Sequence, residues 1–325
     1  MVGTQTRLLL IGGALLVVGL ILGVLLGHFF LPAEYREGSS EWRSSHGYTF
    51  VNPLLLCTDE AGVLPGEVRV MRSEIATTID IARAKGDITE AAVYFRDLNN
   101  GPWFGINENL LFSPGSLLKV PVMIGILKTA ENDPSIFTRT ILLSERQAPS
   151  SIQRIVSADP LPLGQEYTVD RLLQAMIIDS DNDAIYLLDG ILDTDLANRV
   201  YTDLGIKIPD GLAYEITVQQ YASFFRILYN GTYVDPDLAE EALALLATTH
   251  YKDGLVGGVP KEVLVAHKFG ERELTRGVEQ LHDCGIVYAP GHPYTICVMT
   301  RGSSLEEQAA LIRDISRIAY SHMNK

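Results

Sequence analysis

Extended segments occur at both ends of the main body of this chain, and helical patterns fill its middle. This order constrains the fold more than any other feature of the sequence. Runs of strand-forming residues are found at 91–98, 102–108, 262–270, 282–289 and 294–302. Between them, residues 113–247 carry apolar residues at helical spacing, with few strand-like segments. Strands from both ends of the body are therefore expected to share one sheet.

These patterns predict the α/β fold class in its α+β form: an antiparallel sheet flanked by terminal helices, with an inserted all-helical region. The sheet region comprises residues 72–111 and 251–325, and the helical region comprises residues 112–250. Helical spacing at 73–86 and 304–323 supplies the terminal helices, and Ser304-Leu-Glu-Glu matches a capping box at the start of the second. We expect a cleft where the two regions meet.

An uninterrupted apolar run precedes the body. Residues 8–30 contain no Asp, Glu, Lys or Arg, and a helix of this length would be about 35 Å long, enough to cross a bilayer core. A cleavable signal peptide is the alternative, but it has a shorter apolar region and a site of small residues that the following sequence lacks. We therefore predict that residues 1–31 form a cytoplasmic tip and a single-pass transmembrane anchor.

The flanking charges predict the orientation of this anchor. Arg7 precedes the apolar run, whereas Glu34, Arg36 and Glu37 follow it, so the short amino-terminal end is expected to stay in the cytoplasm. The polar, Ser-rich sequence after the run predicts a stalk or linker over residues 32–71. Residues 72–325 would then form a domain on the extracytoplasmic side of the membrane.

Charge and cysteine usage exclude some classes of partner. The formal net charge is −14, and all 40 acidic residues follow the apolar run, which argues against binding to nucleic acid or to anionic lipid headgroups. The three cysteines, Cys57, Cys284 and Cys297, form no C-x-x-C spacing, which argues against a metal cluster. We expect no metal or cofactor. One disulfide and buried free thiols are both compatible with the sequence.

The sequence Ser-Pro-Gly-Ser-Leu-Leu-Lys, ending at Lys119, places a hydroxyl three residues before an amine. Ser113 is a good helix N-cap and Pro114 suits the first helical position, so Ser116 is predicted to lie in the first turn. Residues three apart share a helix face, so Lys119 can reach Ser116. The positive helix end and apolar neighbours favour a neutral lysine that can act as a base.

Pro121 does not fit a regular helix over this segment. As an interior helical residue it would leave the Leu117 carbonyl without its usual donor, and we expect it to bend the helix.

Two further polar sequences interrupt apolar runs. Ser180-Asp181-Asn182 separates two helical patterns, and taken alone it favours a turn in which Ser and Asp act as caps. Lys268 ends a strand-like run and is followed by Phe269 and Gly270, which alone indicates only a strand end. A Ser-x-x-Lys sequence is also expected about once by chance in a chain of this length. The three sequences together, in this order, are far more specific.

Ser-x-x-Lys, Ser-Asp-Asn and Lys-x-Gly, placed on a helix start, a loop of the helical region and a late strand, resemble the motifs of the penicillin-recognising serine enzymes. The resemblance covers residues 73–323 and is strongest to class A β-lactamases, with penicillin-binding D,D-peptidases in the same group. It implies the β-lactamase/transpeptidase-like fold, and a β-lactam or a peptidoglycan stem peptide as the substrate.

The resemblance also implies roles for individual residues. Ser116 would be the acylated nucleophile, and Lys119 would accept its proton. Ser180 would pass a proton to the leaving nitrogen. Asn182 would bind the substrate's side-chain amide, and Lys268 would steady Ser180 and attract the substrate carboxylate. All five residues are present in this sequence.

Backbone groups and the strand after Lys268 complete the implied site. The oxyanion hole would consist of the N–H groups of Ser116 and Glu271, and Arg276 would contact the substrate carboxylate. The family's usual Thr or Ser is here Phe269, before Gly270, so a hydroxyl that binds the carboxylate is lost. Loss of a hydrogen bond to a charge costs about 1.5 to 3 kcal/mol. Phe269 would line an apolar pocket or point into the core.

A second departure concerns release of the acyl group. Class A β-lactamases carry a Glu-x-x-Leu-Asn loop whose Glu activates the deacylating water, and the short segment 204–220 has no such sequence. Glu215 is its only glutamate, with a helix-cap role as the alternative to catalysis. We therefore predict slow deacylation.

Three functions are compatible with these observations. The first is a membrane-anchored serine hydrolase of class A β-lactamase type, acylated on Ser116 and opening β-lactam rings. The second is a D,D-carboxypeptidase or transpeptidase of the cell wall. The third is a non-catalytic wall-binding or sensor domain, against which the complete set of polar residues argues.

Overall fold

The structure is a computed structural model, and it describes residues 38–43, 47–62, 66–99, 101–146, 154–155, 160–211 and 213–324. The chain divides into two units, Met1–Arg36 and Glu37–Lys325, and all of the described residues belong to the second. The predicted anchor at residues 8–30 lies outside the described residues. Among the residues that are described, no helix is both long and apolar enough to cross a membrane.

The main sheet is antiparallel and draws its strands from both ends of the body, as the sequence predicts. Its spatial order is β4-β3-β9-β8-β7. The bounds of these strands are β3 (Glu90–Asp97), β4 (Trp103–Ile106), β7 (Val265–Thr275), β8 (Val278–Val287) and β9 (Tyr294–Gly302). Because β7 pairs only with β8 within this sheet, its other edge is available to the residues of the site.

Both faces of the sheet are covered, which explains why most residues of its strands are buried. Side chains alternate along β9: Ile296 and Val298 pack into one hydrophobic cluster, and Cys297 and Met299 pack into the other. The first cluster joins the sheet to α1 (Gly66–Lys85) and α8 (Leu305–Met323), the predicted terminal helices. Ser304 caps α8 by accepting the Glu307 N–H at 3.3 Å.

The second cluster joins the sheet to the inserted helical region. Its helices are α2 (Lys119–Ala130), α3 (Val169–Ile178), α4 (Asn182–Asp189), α5 (Thr194–Thr202), α6 (Val218–Asn230) and α7 (Pro236–Ala247). The α6 helix lies against the sheet and begins at Thr217, whose side chain and that of Gln220 form a reciprocal capping box. The predicted fold class, an antiparallel sheet flanked by helices with a helical region inserted, is therefore confirmed.

Three local features differ from the sequence-based expectation. A two-stranded pair, β5 (Thr140–Leu143) with β6 (Gln165–Thr168), lies within the region that we expected to be mostly helical. A second pair, β1 (Gly38–Arg43) with β2 (Leu54–Gly62), lies within the segment predicted as a stalk. Helix α1 also begins at Gly66, several residues before the start indicated by the apolar spacing.

The segment after β1 is attached to the helical region. The Glu240 side chain on α7 accepts three consecutive backbone N–H groups, those of Thr49, Phe50 and Val51, at 2.7 to 2.8 Å. Charge-assisted hydrogen bonds of this kind are stronger than neutral ones. This part of the predicted stalk is thus bound to the domain.

Candidate active site

Ser116 and Lys119 lie together where a 3-10 helix passes into α2. The 3-10 helix spans Gly115–Leu118, and α2 begins at Lys119. Lys119 Nζ lies 2.8 Å from Ser116 Oγ. Lys119 is 1% exposed, whereas Ser116 is half-buried and so remains open to a substrate. The contact predicted from the spacing of three residues is therefore confirmed.

The start of this helix differs from the prediction. Ser113 does not cap it: the residue before the 3-10 helix is Pro114, which makes no side-chain capping bond. Ser113 instead accepts hydrogen bonds from β-sheet side chains, from Arg272 at its Oγ and from His282 at its carbonyl oxygen. The turn that carries Ser116 is therefore tied to the sheet rather than capped by its own sequence.

Pro121 falls in the first turn of α2, where a backbone N–H has no intrahelical partner, so a proline is tolerated there. The Leu117 carbonyl, which has no N–H donor at position 121, accepts the Lys119 backbone N–H and also the Tyr221 hydroxyl, the latter at 2.9 Å. Tyr221 is buried on α6, far away in sequence. A side chain of another helix thus supplies a further donor.

The Ser180-Asp181-Asn182 turn brings two polar side chains to Lys119. Lys119 Nζ lies 3.2 Å from Ser180 Oγ and 2.7 Å from Asn182 Oδ1. Asp181 caps α4 by accepting the Ala184 N–H at 2.9 Å. The expectation of a capping turn is therefore correct for Asp181 alone, while its two neighbours form part of the site.

Ser180 has a left-handed backbone conformation, with φ of 57°. A non-glycine residue pays a conformational cost there, and such residues persist where surrounding contacts fix them. Ser180 is fully buried, and its hydroxyl contacts both lysines of the site. The strained turn places this hydroxyl between them.

Lys268 reaches the same hydroxyl from the sheet. Its Nζ lies 3.0 Å from Ser180 Oγ and 3.1 Å from the Phe269 carbonyl oxygen, on the free edge of β7. The Phe269 ring stacks on Tyr251 and is 3% exposed, with Lys268 Nζ lying 4.1 Å from the ring centroid. Two positions were predicted for the Phe269 ring, an apolar pocket or the core. The structure shows it in the core, where it packs against Lys268.

Gly270 and Gly115 allow β7 to lie directly against the 3-10 helix. A Cβ on Gly270 would lie 2.6 Å from the Pro114 carbonyl oxygen, and one on Gly115 would lie 2.5 Å from the Glu271 oxygen. Gly115 also has φ of 53°, a conformation that favours glycine. The backbones of Ser116 and Glu271 are therefore brought close together across the cleft.

The Glu271 side chain has a separate structural role. It accepts the backbone N–H groups of Arg154 and Ile155 at 3.0 and 2.7 Å. Arg154 in turn pairs with the buried Glu279 on β8 at 2.6 Å. Burial raises the pKa of the Glu271 carboxyl above its ordinary value, while the two N–H donors oppose that shift.

Burial is the main influence on the charges of the two lysines. It lowers the pKa of Lys119 to about 7. It also lowers the pKa of Lys268 well below its ordinary value, and the nearby Lys119 lowers it further. A neutral Lys119 retains two N–H donors for Asn182 and Ser180, and its lone pair is then available for the Ser116 hydroxyl proton. The three contacts of Lys119 thus suit a neutral amine.

Two candidates are not brought to the nucleophile. Arg276 lies in the exposed turn after β7, five residues beyond Glu271, which is about 16 Å along an extended strand. Glu215 is exposed beside the bridge between Phe112 and Ile216, and in the described structure it makes no hydrogen bond or ion pair with site residues. The helix-cap alternative for Glu215 is also not realised, since Thr217 caps α6.

Sequence reasoning missed the residues that support Ser113. Arg272 donates to Ser113 Oγ at 2.6 Å, and Gln280 accepts the Ser113 N–H at 3.0 Å. His282 Nε2 donates to the Ser113 carbonyl at 3.0 Å, and burial lowers the pKa of this imidazole to about 4, so it is neutral. The alternation of side chains along β7 and β8 places these three residues on one face of the sheet. Their partner, Ser113, is more than 150 residues away in the sequence, so the contact could not be predicted from the sequence.

The sequence left open whether the cysteines form a disulfide, and the structure shows one. Cys284 and Cys297 lie opposite each other on β8 and β9 and form a disulfide, and Lys268 is the residue paired with Cys284 on the other side. In the parts of the chain that the structure describes, no group of three or more His, Cys, Asp or Glu is arranged to hold a metal ion.

An antiparallel sheet with an inserted helical region and a serine paired with a buried lysine are together characteristic of lysine-assisted serine hydrolases. The fold and the site assign the chain to this class. A sequence model described as the beta-lactamase enzyme family matches residues 71–323. The chain therefore belongs to the beta-lactamase enzyme family, and it resembles the class A branch.

Individual relatives are distant but are matched over most of their own length. Beta-lactamase VEB-1 of Pseudomonas aeruginosa is 23% identical in an alignment of 270 residues that covers 76% of this chain and 89% of that protein. A class A beta-lactamase from Bacteroides cellulosilyticus superposes with a TM-score of 0.67 at 22% identity, covering 78% of this chain and 98% of that one. The penicillin-G acyl-enzyme complex of a PBP-A mutant superposes with a TM-score of 0.65 at 19% identity, covering 79% and 98%.

Proposed function

We propose that β-lactams acylate this enzyme on Ser116 and that the resulting ester is released slowly. The observation that carries the proposal is the 2.8 Å contact between Ser116 Oγ and Lys119 Nζ, with burial lowering the pKa of Lys119 to about 7. A base with a pKa near the working pH is well suited to accept a hydroxyl proton.

The proposed reaction uses the polar chain from Ser116 to Lys268. Lys119 takes the Ser116 hydroxyl proton while Oγ attacks the lactam carbonyl and forms the new C–O bond. The C–N bond of the ring then breaks, and the proton passes from Lys119 through Ser180 to the leaving nitrogen. Ser180 is suited to this relay because its Oγ lies 3.2 Å from Lys119 Nζ and 3.0 Å from Lys268 Nζ.

We propose that the carbonyl oxygen and the carboxylate of the substrate bind at the edge of β7. The backbone N–H groups of Ser116 and Glu271 would stabilise the oxyanion, an arrangement supported by the close packing of Gly115 against Glu271. Lys268 would attract the carboxylate, and Asn182 would bind the acyl-side amide. Without a hydroxyl at Phe269, and with Arg276 at a distant turn, carboxylate binding is expected to be weak.

Slow release is proposed because, in the described part of the chain, no carboxylate hydrogen bonds to Ser116 or Lys119. Glu215 is exposed, and its neighbour Ile216 bridges to Phe112, four residues before Ser116. The same feature favours the second candidate, a D,D-carboxypeptidase or transpeptidase acting on cell-wall peptides. The penicillin-G acyl-enzyme of a PBP-A mutant, a similar fold, supports acylation by penicillin.

The proposed location is extracytoplasmic, with residues 8–30 as a membrane anchor and the domain facing the cell wall. The apolar run and its flanking charges support this placement. Fractionation of cells that express the full chain, with protease added outside the membrane, tests it. An intact domain in spheroplasts treated with protease would contradict the proposed orientation.

A time course of intact mass tests the chemistry. The protein is mixed with benzylpenicillin, excess ligand is removed, and the adduct mass is followed beside Ser116→Ala and Glu215→Gln. We expect one adduct, absent in Ser116→Ala, that persists for many minutes and has the same lifetime in Glu215→Gln. Rapid loss with release of penicilloate would overturn slow deacylation, and an adduct in Ser116→Ala would overturn the nucleophile.

A further inference from the structure

A cavity of about 630 Å³ lies beside the nucleophile within the helical region. Three helices form most of its wall, and each contributes residues from one of its faces. These residues include Pro121 on α2, Asn182 and Asp189 on α4, and Ala197 on α5. A volume of this size is typical of a pocket for a small molecule. None of the proposed chemical steps uses this space beyond Asn182.

The cavity adjoins the candidate active site at Asn182. Asn182 lines it and also accepts a hydrogen bond from Lys119 at 2.7 Å. Leu118, another lining residue, lies on the same 3-10 helix as Ser116. A substituent on the acyl side of a substrate bound at Ser116 can therefore pass Asn182 and enter the cavity.

The chemical character of the wall favours one kind of occupant. Tyr186 and Ile208 line the cavity while remaining 57% and 37% exposed, and large exposed apolar side chains at a concave surface indicate a binding site. Among the described residues that form the wall, Asp189 is the only charged one. Such a wall suits an apolar chain with a positive end.

The helix also sets the length of that chain. Asn182 and Asp189 are the first and last residues of α4, seven positions apart, which corresponds to about 10 Å along the axis. An extended chain of about nine bonds covers this distance. A chain that extends from Ser116 past Asn182 along α4 would meet the apolar residues first and the Asp189 carboxylate last.

We infer that this cavity binds the acyl-side substituent of the substrate, an extended aliphatic chain that ends in a primary amine, with Asp189 as the counter-charge. The inference rests on the proposed acylation of Ser116. It makes Asp189 a specificity-determining residue that contacts the substrate about 10 Å beyond Asn182.

Three penicillins with side chains of equal length test the inference. They carry an ω-aminoheptanoyl, an octanoyl or a suberoyl group on the nucleus, and 6-aminopenicillanic acid serves as the parent without a side chain. The second-order rate constant for acylation is measured by intact mass on the whole protein. We expect the amine to react about three-fold faster than the methyl compound and the carboxylate to react slowest, as for a partly exposed ion pair.

Variants separate charge from shape. Asp189→Asn is expected to bring the amine-to-methyl ratio close to one, and Asp189→Lys to favour the suberoyl compound. The matched control is Asp195→Asn on α5, an exposed aspartate outside the cavity, which should retain the wild-type ratio. Ala197→Phe fills the cavity and should slow the three side-chain compounds by about ten-fold relative to the parent.

The outcomes distinguish the two proposals. Equal rate constants for the three side chains, unchanged in Asp189→Lys and Ala197→Phe, would overturn the cavity assignment while leaving Ser116 acylation intact. Absence of acylation by every compound, including 6-aminopenicillanic acid, would overturn the proposed function and the cavity assignment with it.

Discussion

The Tyr221 hydroxyl donates to the Leu117 carbonyl at 2.9 Å, and this carbonyl has no N–H donor at position 121 because that residue is Pro121. The bond joins α6 to the 3-10 helix that carries Ser116. It is buried, so no water can replace the donor when it is removed. The carbonyl keeps the Lys119 backbone N–H as a donor, so losing the Tyr221 bond costs about 0.5 to 1.5 kcal/mol, as for one ordinary hydrogen bond.

Tyr221→Phe is therefore expected to lower the free energy of unfolding by about 0.5 to 1.5 kcal/mol and to slow acylation of Ser116. Urea denaturation and the acylation rate constant measure the two effects. Tyr294→Phe is the matched control, because Tyr294 is equally buried and its hydroxyl has no hydrogen-bond partner in the described structure. That variant should be neutral or slightly stabilised.

A double-mutant cycle tests whether Pro121 explains the need for Tyr221. In Pro121→Ala the backbone regains an N–H that can reach the Leu117 carbonyl, so the second substitution Tyr221→Phe should cost less than it does in the wild type. Additive effects in the cycle would show that the two residues act independently and would contradict this reading.

The acylation rate should follow the ionisation of Lys119. Burial lowers its pKa to about 7, and only the neutral amine can accept the Ser116 proton. The rate constant is expected to fall about ten-fold per pH unit below 7 and to reach a plateau above about 8. Stopped-flow measurements with a chromogenic cephalosporin between pH 5 and 9 test this. A flat profile, or a rate that falls as pH rises through 7, would contradict a lysine base.

Two substitutions of Ser180 distinguish the effect of its strained backbone from the effect of its hydroxyl. Ser180→Gly removes the hydroxyl but relieves the left-handed conformation with φ of 57°, whereas Ser180→Ala removes the hydroxyl and keeps the strain. Both variants should slow acylation by about a hundred-fold, as for loss of a proton-transfer group. The glycine variant should be at least as stable as the alanine variant in thermal unfolding. Near wild-type acylation in either variant would exclude the relay.

Gly270 should not tolerate a side chain. A Cβ there would lie 2.6 Å from the Pro114 oxygen and 2.9 Å from the Leu117 nitrogen, both backbone atoms that cannot yield cheaply. Gly270→Ala is expected to cost about 1 to 3 kcal/mol and to slow acylation by moving β7 away from Ser116. Gly66→Ala is the matched control, since at the start of α1 its Cβ would meet only the far end of Arg69. Equal stability of the two variants would contradict the close packing.

The fold was predictable because its signals are local. Apolar spacing located most helices of the body, and the extended runs near both ends located the main sheet. The departures have an identifiable cause: only one of the eight residues of β5 and β6 is buried, so these strands lack the apolar pattern of core strands.

The amino-acid sequence by itself determined the positions of the main-sheet strands, the helical middle of the chain and the three short motifs whose polar residues the structure brings together. Only the tertiary structure decided that Ser180 bridges two buried lysines, that Tyr221 bonds to the turn of Ser116, that Cys284 pairs with Cys297, and that Asp189 lines a cavity. The reason is physical. Periodicity and capping act within a few residues, whereas burial, pKa and hydrogen-bond partnership depend on segments that meet only after the chain has folded.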